Sequence, residues 1–517
     1  MSRKSRRTNI LRRIKLIPTD EALTSGAGLG TVIELFDKSI LASEFQRCLP
    51  ERTSHKSIGA YRMALTILAS LIYGHECLDD LDEFRRDPGL KELFDSPTAA
   101  ARTHGDFLRD FEPEHIDALN RFLNTMARHV MGLFQTQLPD EHKPQSLIID
   151  VDSTSHVQSG AQMEGLAWNY KDEWCLDSQV AFNQMGLCHG MQLRPGNTKS
   201  GVDAAALIQQ CFTDGKIQIH RKYKKQDFFR GDSAYCNQEV IKENLDLGTL
   251  FTITAHDAIT RWKSHVKKTG MDWKPWVWSN EDLKRFAAQE KEPPRIEIAR
   301  FYWTPKWSET EESKLVFPIC VKRTWNPEKE NKTKKDKQTA LFFGDGFERE
   351  EPWDYYAVLT NFPLDLYRSE GSGLSTNPHF SGTEKGGDKF QQKSWSIQEV
   401  FEHHQERGNS ENFIREEKYG YDLKHFPCQK LSANHAYGLL AMIAHNLLRW
   451  VAVMTKPEKP HYAKKIRRQL IHLPARVVRH ARQVFMKIMT EQFEEVIKIR
   501  ERLGLNSETI PLRRSSA

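Results

Sequence analysis

Between Gly30 and Val130 apolar residues return every three or four positions, in TVIELFDKSILASEFQRCL, AYRMALTILASLIYG and FEPEHIDALNRFLNTMARHVMGLF, a spacing that predicts helices throughout. QTQLPDEHKPQ (135–145), with two prolines and mixed charge, marks a boundary. Beyond it the period changes. SLIIDVDST (146–154), SQVAFNQM (178–185), LCHGMQLR (187–194), DFFRGD (227–232) and LFTITA (250–255) are short strand-like runs. GVDAAALIQQCF (201–212), capped by Ser200, and NQEVIKENLDLG (237–248) are helical between them. Three strands, a helix, a strand, a helix and a strand predict a mixed α/β sheet.

Residues 256–354 break the alternation. Six of the twelve tryptophans (262, 273, 276, 278, 303 and 307) crowd there among strand-like and charged runs, which predicts a β-rich insertion. NPEKENKTKKDKQ (326–338) reads as a charged loop, YYAVLTNF (355–362) as a strand, and EGSGLSTNPHFSGTEKGGDK (370–389) as a loop. One helix is expected from about Ser396 to Lys418 and another from Ser432 to Met454. Within the second, LLAMIAHNLLRWVAVM is cut by His445, Asn446 and Arg449, so it reads as a buried helix rather than a membrane span. The tail 464–487 is strongly basic.

Composition adds limits. The 517 residues admit two to four domains, and 39% hydrophobic with 28% charged residues fits a soluble globular protein. A net charge of +6 permits a nucleic-acid partner without requiring one. MSRKSRRTNILRRIK holds seven basic residues and no acid, and reads either as an arm that neutralises phosphates or as a solvated tail. No apolar stretch follows it, which excludes a secretory signal. Eight scattered cysteines, without a CxxC pair, suit a reduced cytoplasmic protein.

Candidate chemistry lies where strands end in acids. Asp150 and Asp152 point to one side of their strand, and Asp232 closes a second strand in the same way, although either could be a strand end running into a polar turn. His404, Arg407, Glu411 and Lys418, at offsets of 0, 3, 7 and 14, share one helical stripe. The two cations could pair with Glu411 or grip a phosphate. Three carboxylates from two strands and a helix suit a hard divalent cation such as Mg²⁺. Two such ions, about 3.5–4 Å apart, would serve phosphodiester chemistry.

These stretches together resemble the bacterial insertion-sequence transposases of the DDE class, the group with a β-rich insertion and a Tyr-Arg-Glu-Lys signature helix. The signature spacing runs through His404, Arg407, Glu411 and Lys418, with His404 where the pattern has Tyr. DVDST resembles the first acidic motif and favours Asp152 over Asp150. FRGDSAYCN resembles the second, through Asp232, and LCHGMQLRPGNTKSG resembles the strand and turn between them, adding Arg194 as a candidate. PCQKLSANHAYGLLAMIAHNLLRW is similar to the helix that closes such cores, and IYGHECLDDLDEFRRDPGLKELF to their helical leader.

The resemblance implies an α/β fold with an RNase H-like core, a helical N-terminal domain and a helical C-terminus. The implied division is a basic arm (1–17), a helical DNA-binding domain (18–135), a catalytic core in two parts (146–255 and 355–455) around the insertion (256–354), and a basic C-terminal region (456–517). Asp152, Asp232 and Glu411 are implied as catalytic ligands of two Mg²⁺ ions, for which Mn²⁺ substitutes. His404, Arg407 and Lys418 are implied as phosphate contacts, and an insertion tryptophan as a support for the distorted DNA end. The implied activity is cutting double-stranded DNA at the element ends and joining it to target DNA, as a cytoplasmic, nucleoid-associated homodimer with no membrane contact. Two rival readings are a transposase-derived DNA-binding protein that no longer cuts and a non-specific RNase H-like nuclease.

Overall fold

The structure is a computed structural model that describes residues 16–52, 58–95, 98–160, 162–213, 226–308, 314–329, 352–364, 394–480 and 483–505. The basic arm through Lys15, the loop 370–389 and most of the charged stretch 326–338 lie outside the described residues.

Thirteen described strands form two sheets: β1 (Leu23–Thr24), β2 (Ile148–Val157), β3 (Ala167–Trp168), β4 (Trp174–Asn183), β5 (Cys188–Pro195), β6 (Phe228–Gly231), β7 (Leu250–Thr254), β8 (Lys274–Pro275), β9 (Ile296–Trp303), β10 (Phe317–Trp325), β11 (Trp353–Thr360), β12 (Ala475–His480) and β13 (Gln483–Ile488). The large sheet has the order β3-β4-β2-β6-β7-β11-β10-β9-β8, with β5 also on β4. β5, β4 and β2 pair antiparallel, whereas β2, β6 and β7 run parallel. The crossovers are helical, through Ala204–Phe212 and Gln238–Asp246, as parallel neighbours require. Asn237 caps the second by accepting from the Val240 amide, but the first starts after Asp203 with no side-chain cap. The expected cap, Ser200, instead accepts a hydrogen bond from Ser153 Oγ at 2.6 Å.

The insertion is more mixed than its sequence suggests. Three helices (Asp257–Thr260, Trp262–Lys268 and Asn280–Ala288) precede β9 and β10, and its strands extend the central sheet, because β11 pairs antiparallel with β7. Much of its tryptophan content is packing. The Arg323 guanidinium lies 4.1 Å from the Trp273 ring centre and 4.3 Å from that of Trp353, and Arg295 lies 4.9 Å from Trp353. Glu297 pairs with both arginines, so this alternation of rings and cations is closed by an anion.

Leu431–Thr455 is the central helix of the protein. It is long and apolar enough to cross a membrane, yet almost all of it is buried inside this fold, against Ala60–Tyr73, Pro113–Gln137 and β5. Its polar residues meet the β4–β5 turn. Asn446 bonds both the amide and the carbonyl of Cys188, at 2.7 and 2.8 Å, His445 Nε2 meets Gly186 O at 2.8 Å, and Arg449 Nε donates to Met185 O at 2.6 Å. Asn120, from the Pro113–Gln137 helix, accepts from the Met191 amide. The β5 edge is therefore covered by side chains that do the work of a further strand.

The C-terminal region corrects an expectation. It is not all helix: β12 and β13 form a hairpin, and β12 pairs with β1 from the start of the described chain. In ARVVRH, Ala475 and Val477 alternate inward, a period of two that the surrounding basic residues conceal. The same junction brings Leu470 against Gly28, where an added Cβ would lie 1.6 Å from the Leu470 carbonyl oxygen. Gly28→Ala is expected to lower stability by roughly 2–3 kcal/mol through overpacking, read as a drop in the urea midpoint.

Candidate active site

One face of the sheet gathers the candidate residues, and strand alternation decides which of them reach it. On β2 these are Ile148, Asp150 and Asp152; on β6 and its continuation, Phe228, Arg230 and Asp232; on β7, Leu250, Thr252 and Thr254. Each parallel strand thus passes from apolar to polar toward its carboxyl end. The apolar start packs under the helix Ile397–Gln405, in a cluster with Val400 and Phe401. The polar ends of the three neighbours stand in a row.

The middle of that row is closed. Arg230 is almost fully buried and donates Nε and Nη2 to the two oxygens of Asp150 at 2.6 and 2.8 Å. Its Nη1 donates to the His403 carbonyl at 2.8 Å and to Glu406 at 3.2 Å. Asp150 is therefore committed to a buried ion pair. Asp152 and Asp232 remain at the mouth, both half-buried. Burial raises the Asp152 pKa, the neighbouring Asp232 charge adds to that rise, and Arg407 works against it. Asp232 also accepts from the Ala234 amide at 2.8 Å, which fixes its carboxylate at the start of a short 3₁₀ turn.

The expected single helix over 396–418 is two. Ile397–Gln405, opened by a Ser396–Glu399 capping box, is followed by Gly408–Gly420. Between them Arg407, Asn409 and Ser410 donate their amides three residues back, to His404, Glu406 and Arg407, and Ser410 Oγ bonds Arg407 O at 2.7 Å. This tightened turn, with Gly408 facing open space, holds the weak helix formers 408–410. Arg407 sits at the break and its Nη1 lies 3.1 Å from Asp152 Oδ2.

The remaining candidates divide. Glu411 is exposed in the first turn of the second helix. Among the described residues no group of three or more His, Cys, Asp or Glu side chains is placed to hold a metal ion. Lys418 is half-buried, with its pKa lowered by burial and supported by Glu417 and Glu173. His404 departs from its expected role as a phosphate contact. It is buried, with Nδ1 3.0 Å from Thr252 Oγ1 and Nε2 2.9 Å from the Tyr356 hydroxyl, and burial pushes its pKa down to about 3. Arg194 lies on the opposite face, committed to Asp177 and to the Val202 carbonyl. Sequence reasoning missed Arg230 and Tyr356. The period of two through Phe228, Arg230 and Asp232 carried the signal for the first; nothing local marked the second.

A second buried cluster lies behind the signature helix. Glu417 has no exposed surface and is pushed up to about 8 by burial, while His156, 3.6 Å away, is pushed down to about 3 by the same cause. Both meet Ser178 Oγ, His156 at 2.7 Å and Glu417 at 3.4 Å. Burial thus disfavours the charged form of each member of the pair.

With this geometry in view, comparison with known families is decisive. A family model described as transposase DDE domain group 1 matches residues 8–275 and 372–498. The chain belongs to that family, and is a DDE-type insertion-sequence transposase. The unmatched stretch between those ranges lies largely within the tryptophan-rich insertion. No curated protein sequence matches the chain.

Two measurements check these contacts. Arg230→Met leaves Asp150 buried without its partner and is expected to cost about 3–5 kcal/mol in denaturant unfolding, most of which a second change, Asp150→Leu, restores. For Glu417, a carboxyl whose folded pKa is raised above its unfolded value binds more protons when folded, so stability falls as pH rises from about 4.5 to about 8. Glu417→Gln is expected to stabilise the protein by roughly 2 kcal/mol or more at pH 9 and by little at pH 4, read from thermal unfolding at the two pH values.

Proposed function

We propose that this transposase cuts double-stranded DNA at the terminal inverted repeats of its insertion sequence and joins the freed 3′ hydroxyl ends to target DNA. The reading is carried by Asp152 and Asp232, delivered to one mouth by adjacent parallel strands and faced by Arg407. The order β5-β4-β2-β6-β7, antiparallel and then parallel, supports an RNase H-like core whose sheet the insertion strands prolong.

The aspartate pair fits a hard divalent cation, Mg²⁺ or in its place Mn²⁺. Both ligands are oxygen donors, and beside backbone amides from Ser153 and Ala234 the cation facing them here is the Arg407 guanidinium. Asp152 and Asp232 would hold the ions, and Glu411 would join them. When bound, the ions supply charge neutralisation at the phosphate and a water acidic enough to attack it. The protein's own groups do the rest. Arg230 keeps Asp150 from competing for the cation. Arg407 would turn its fork to a non-bridging phosphate oxygen, and Lys418 would supply a second positive charge along the strand. Water opens the phosphodiester and leaves a 3′ hydroxyl and a 5′ phosphate; that hydroxyl then attacks a target phosphodiester, forming the new phosphodiester bond as the target's own 3′ oxygen leaves.

Two copies acting on the two ends make a homodimer the working unit, in the cytoplasm on nucleoid DNA. We retain for this function the division into a helical DNA-binding region (18–135), the split core, the insertion and the basic C-terminal region. The occupation of Asp152 by Arg407 and the exposure of Glu411 favour one second reading, a protein that binds ends without cutting them.

Glu411→Gln and Asp152→Asn are each expected to lower Mg²⁺-dependent cleavage of a duplex carrying the flanking inverted repeat by roughly 100-fold or more, with end-binding affinity changed less than about threefold. Full cleavage by Glu411→Gln would remove it from the site. Binding without cleavage by the unaltered protein would favour the second reading, and cutting regardless of end sequence a non-specific nuclease.

A further inference from the structure

His404 occupies the signature position where a tyrosine is expected, yet its ring is buried and both nitrogens are engaged within the fold. The hydroxyl reaching the site comes from elsewhere. Tyr356 lies on β11, two residues before Val358, which pairs with Thr254 at the carboxyl end of β7. Its side chain therefore continues the row Asp152, Asp232, Thr254 onto the next strand. The Tyr356 hydroxyl lies 2.8 Å from Thr254 Oγ1 and 2.9 Å from His404 Nε2, and it feels the charges of Arg407 and Asp232. Lys322, paired with Tyr356 across β10 and β11, places its ammonium 5.7 Å from the Tyr356 ring centre.

We propose that the Tyr356 hydroxyl contacts a phosphate oxygen of the DNA strand beside the Asp152–Asp232 pair, and that His404 is the positioning residue that aims it. The proposal rests on the reading of this site as a DNA-cutting centre. A neutral imidazole has one donor and one acceptor. In the tautomer with its proton on Nε2, His404 accepts from Thr252 at Nδ1 and donates to the Tyr356 oxygen, the nearer of two partners, with Thr254 Oγ1 at 3.1 Å. The phenol proton is then left free to leave Thr254 for an anionic oxygen.

The test is single-turnover cleavage of a duplex carrying the flanking terminal inverted repeat, in Mg²⁺, with end binding measured separately. Tyr356→Phe removes only an oxygen from a half-buried ring. It is expected to slow cleavage by roughly 10–100-fold, as the loss of a hydrogen bond to a charged group does, with binding within about threefold. His404→Leu is expected to slow cleavage similarly, and His404→Gln, which keeps a donor, to recover most of the rate. The double change Tyr356→Phe with His404→Leu is expected to be no slower than Tyr356→Phe alone, because His404 acts through that hydroxyl. Wild-type cleavage rates in folded Tyr356→Phe, or losses that multiply in the double variant, would overturn the proposal while leaving the cutting function intact. Failure of the unaltered protein to cleave would overturn both.

Discussion

The site depends on the buried pairing of Arg230 with Asp150. Placing two charges beneath the centre of a sheet costs several kcal/mol per ion unless each finds its full set of partners. Here the guanidinium spends its donors on both Asp150 oxygens, a helix carbonyl and Glu406. Those contacts tie β2 to β6 and both strands to the end of the helix Ile397–Gln405. The next residue after Glu406 is Arg407. The position of the cation that faces Asp152 is thus set by a second cation one layer deeper.

Charge falls off with depth in an ordered way. At the mouth, Asp152, Asp232 and Arg407 are partly open and stay electrostatically active. One step down, Asp150 and Arg230 cancel each other. Behind the signature helix, burial disfavours the charged forms of both Glu417 and His156, raising one pKa and lowering the other.

Much of this was legible in the sequence because strands and helices impose fixed periods. The runs ending in Asp152 and Asp232 read as strands delivering acids, and the structure places both at one mouth. The polar residues inside Leu431–Thr455 correctly marked a buried helix, although not that each would cap the β4–β5 turn. What escaped were properties of pairs distant in the chain. Asp150 and Asp152 look alike on paper and part company only through Arg230, eighty residues on. His404 fits its stripe by angle, but a stripe does not say how deep a side chain sinks, and Thr252, Thr254 and Tyr356 settle that. The break at 406–407 was signalled by Gly408, Asn409 and Ser410, and a single helix was expected because the charge spacing ran across it. The hairpin β12–β13 was hidden by basic residues on its outer side.

The strip β1-β12-β13 bears on how the protein comes into being. Thr24 faces Ala475, so the first described strand waits for a partner some 450 residues away. Leu431–Thr455, against which the leading helices pack, is also late in the chain. A nascent chain therefore emerges with its N-terminal helices lacking their floor and one strand edge bare, and such surfaces invite aggregation and chaperone capture. Long-range closure of this kind is slow. The pairing of β1 with β12 thus joins the N-terminal helices to a hairpin made late in the described chain.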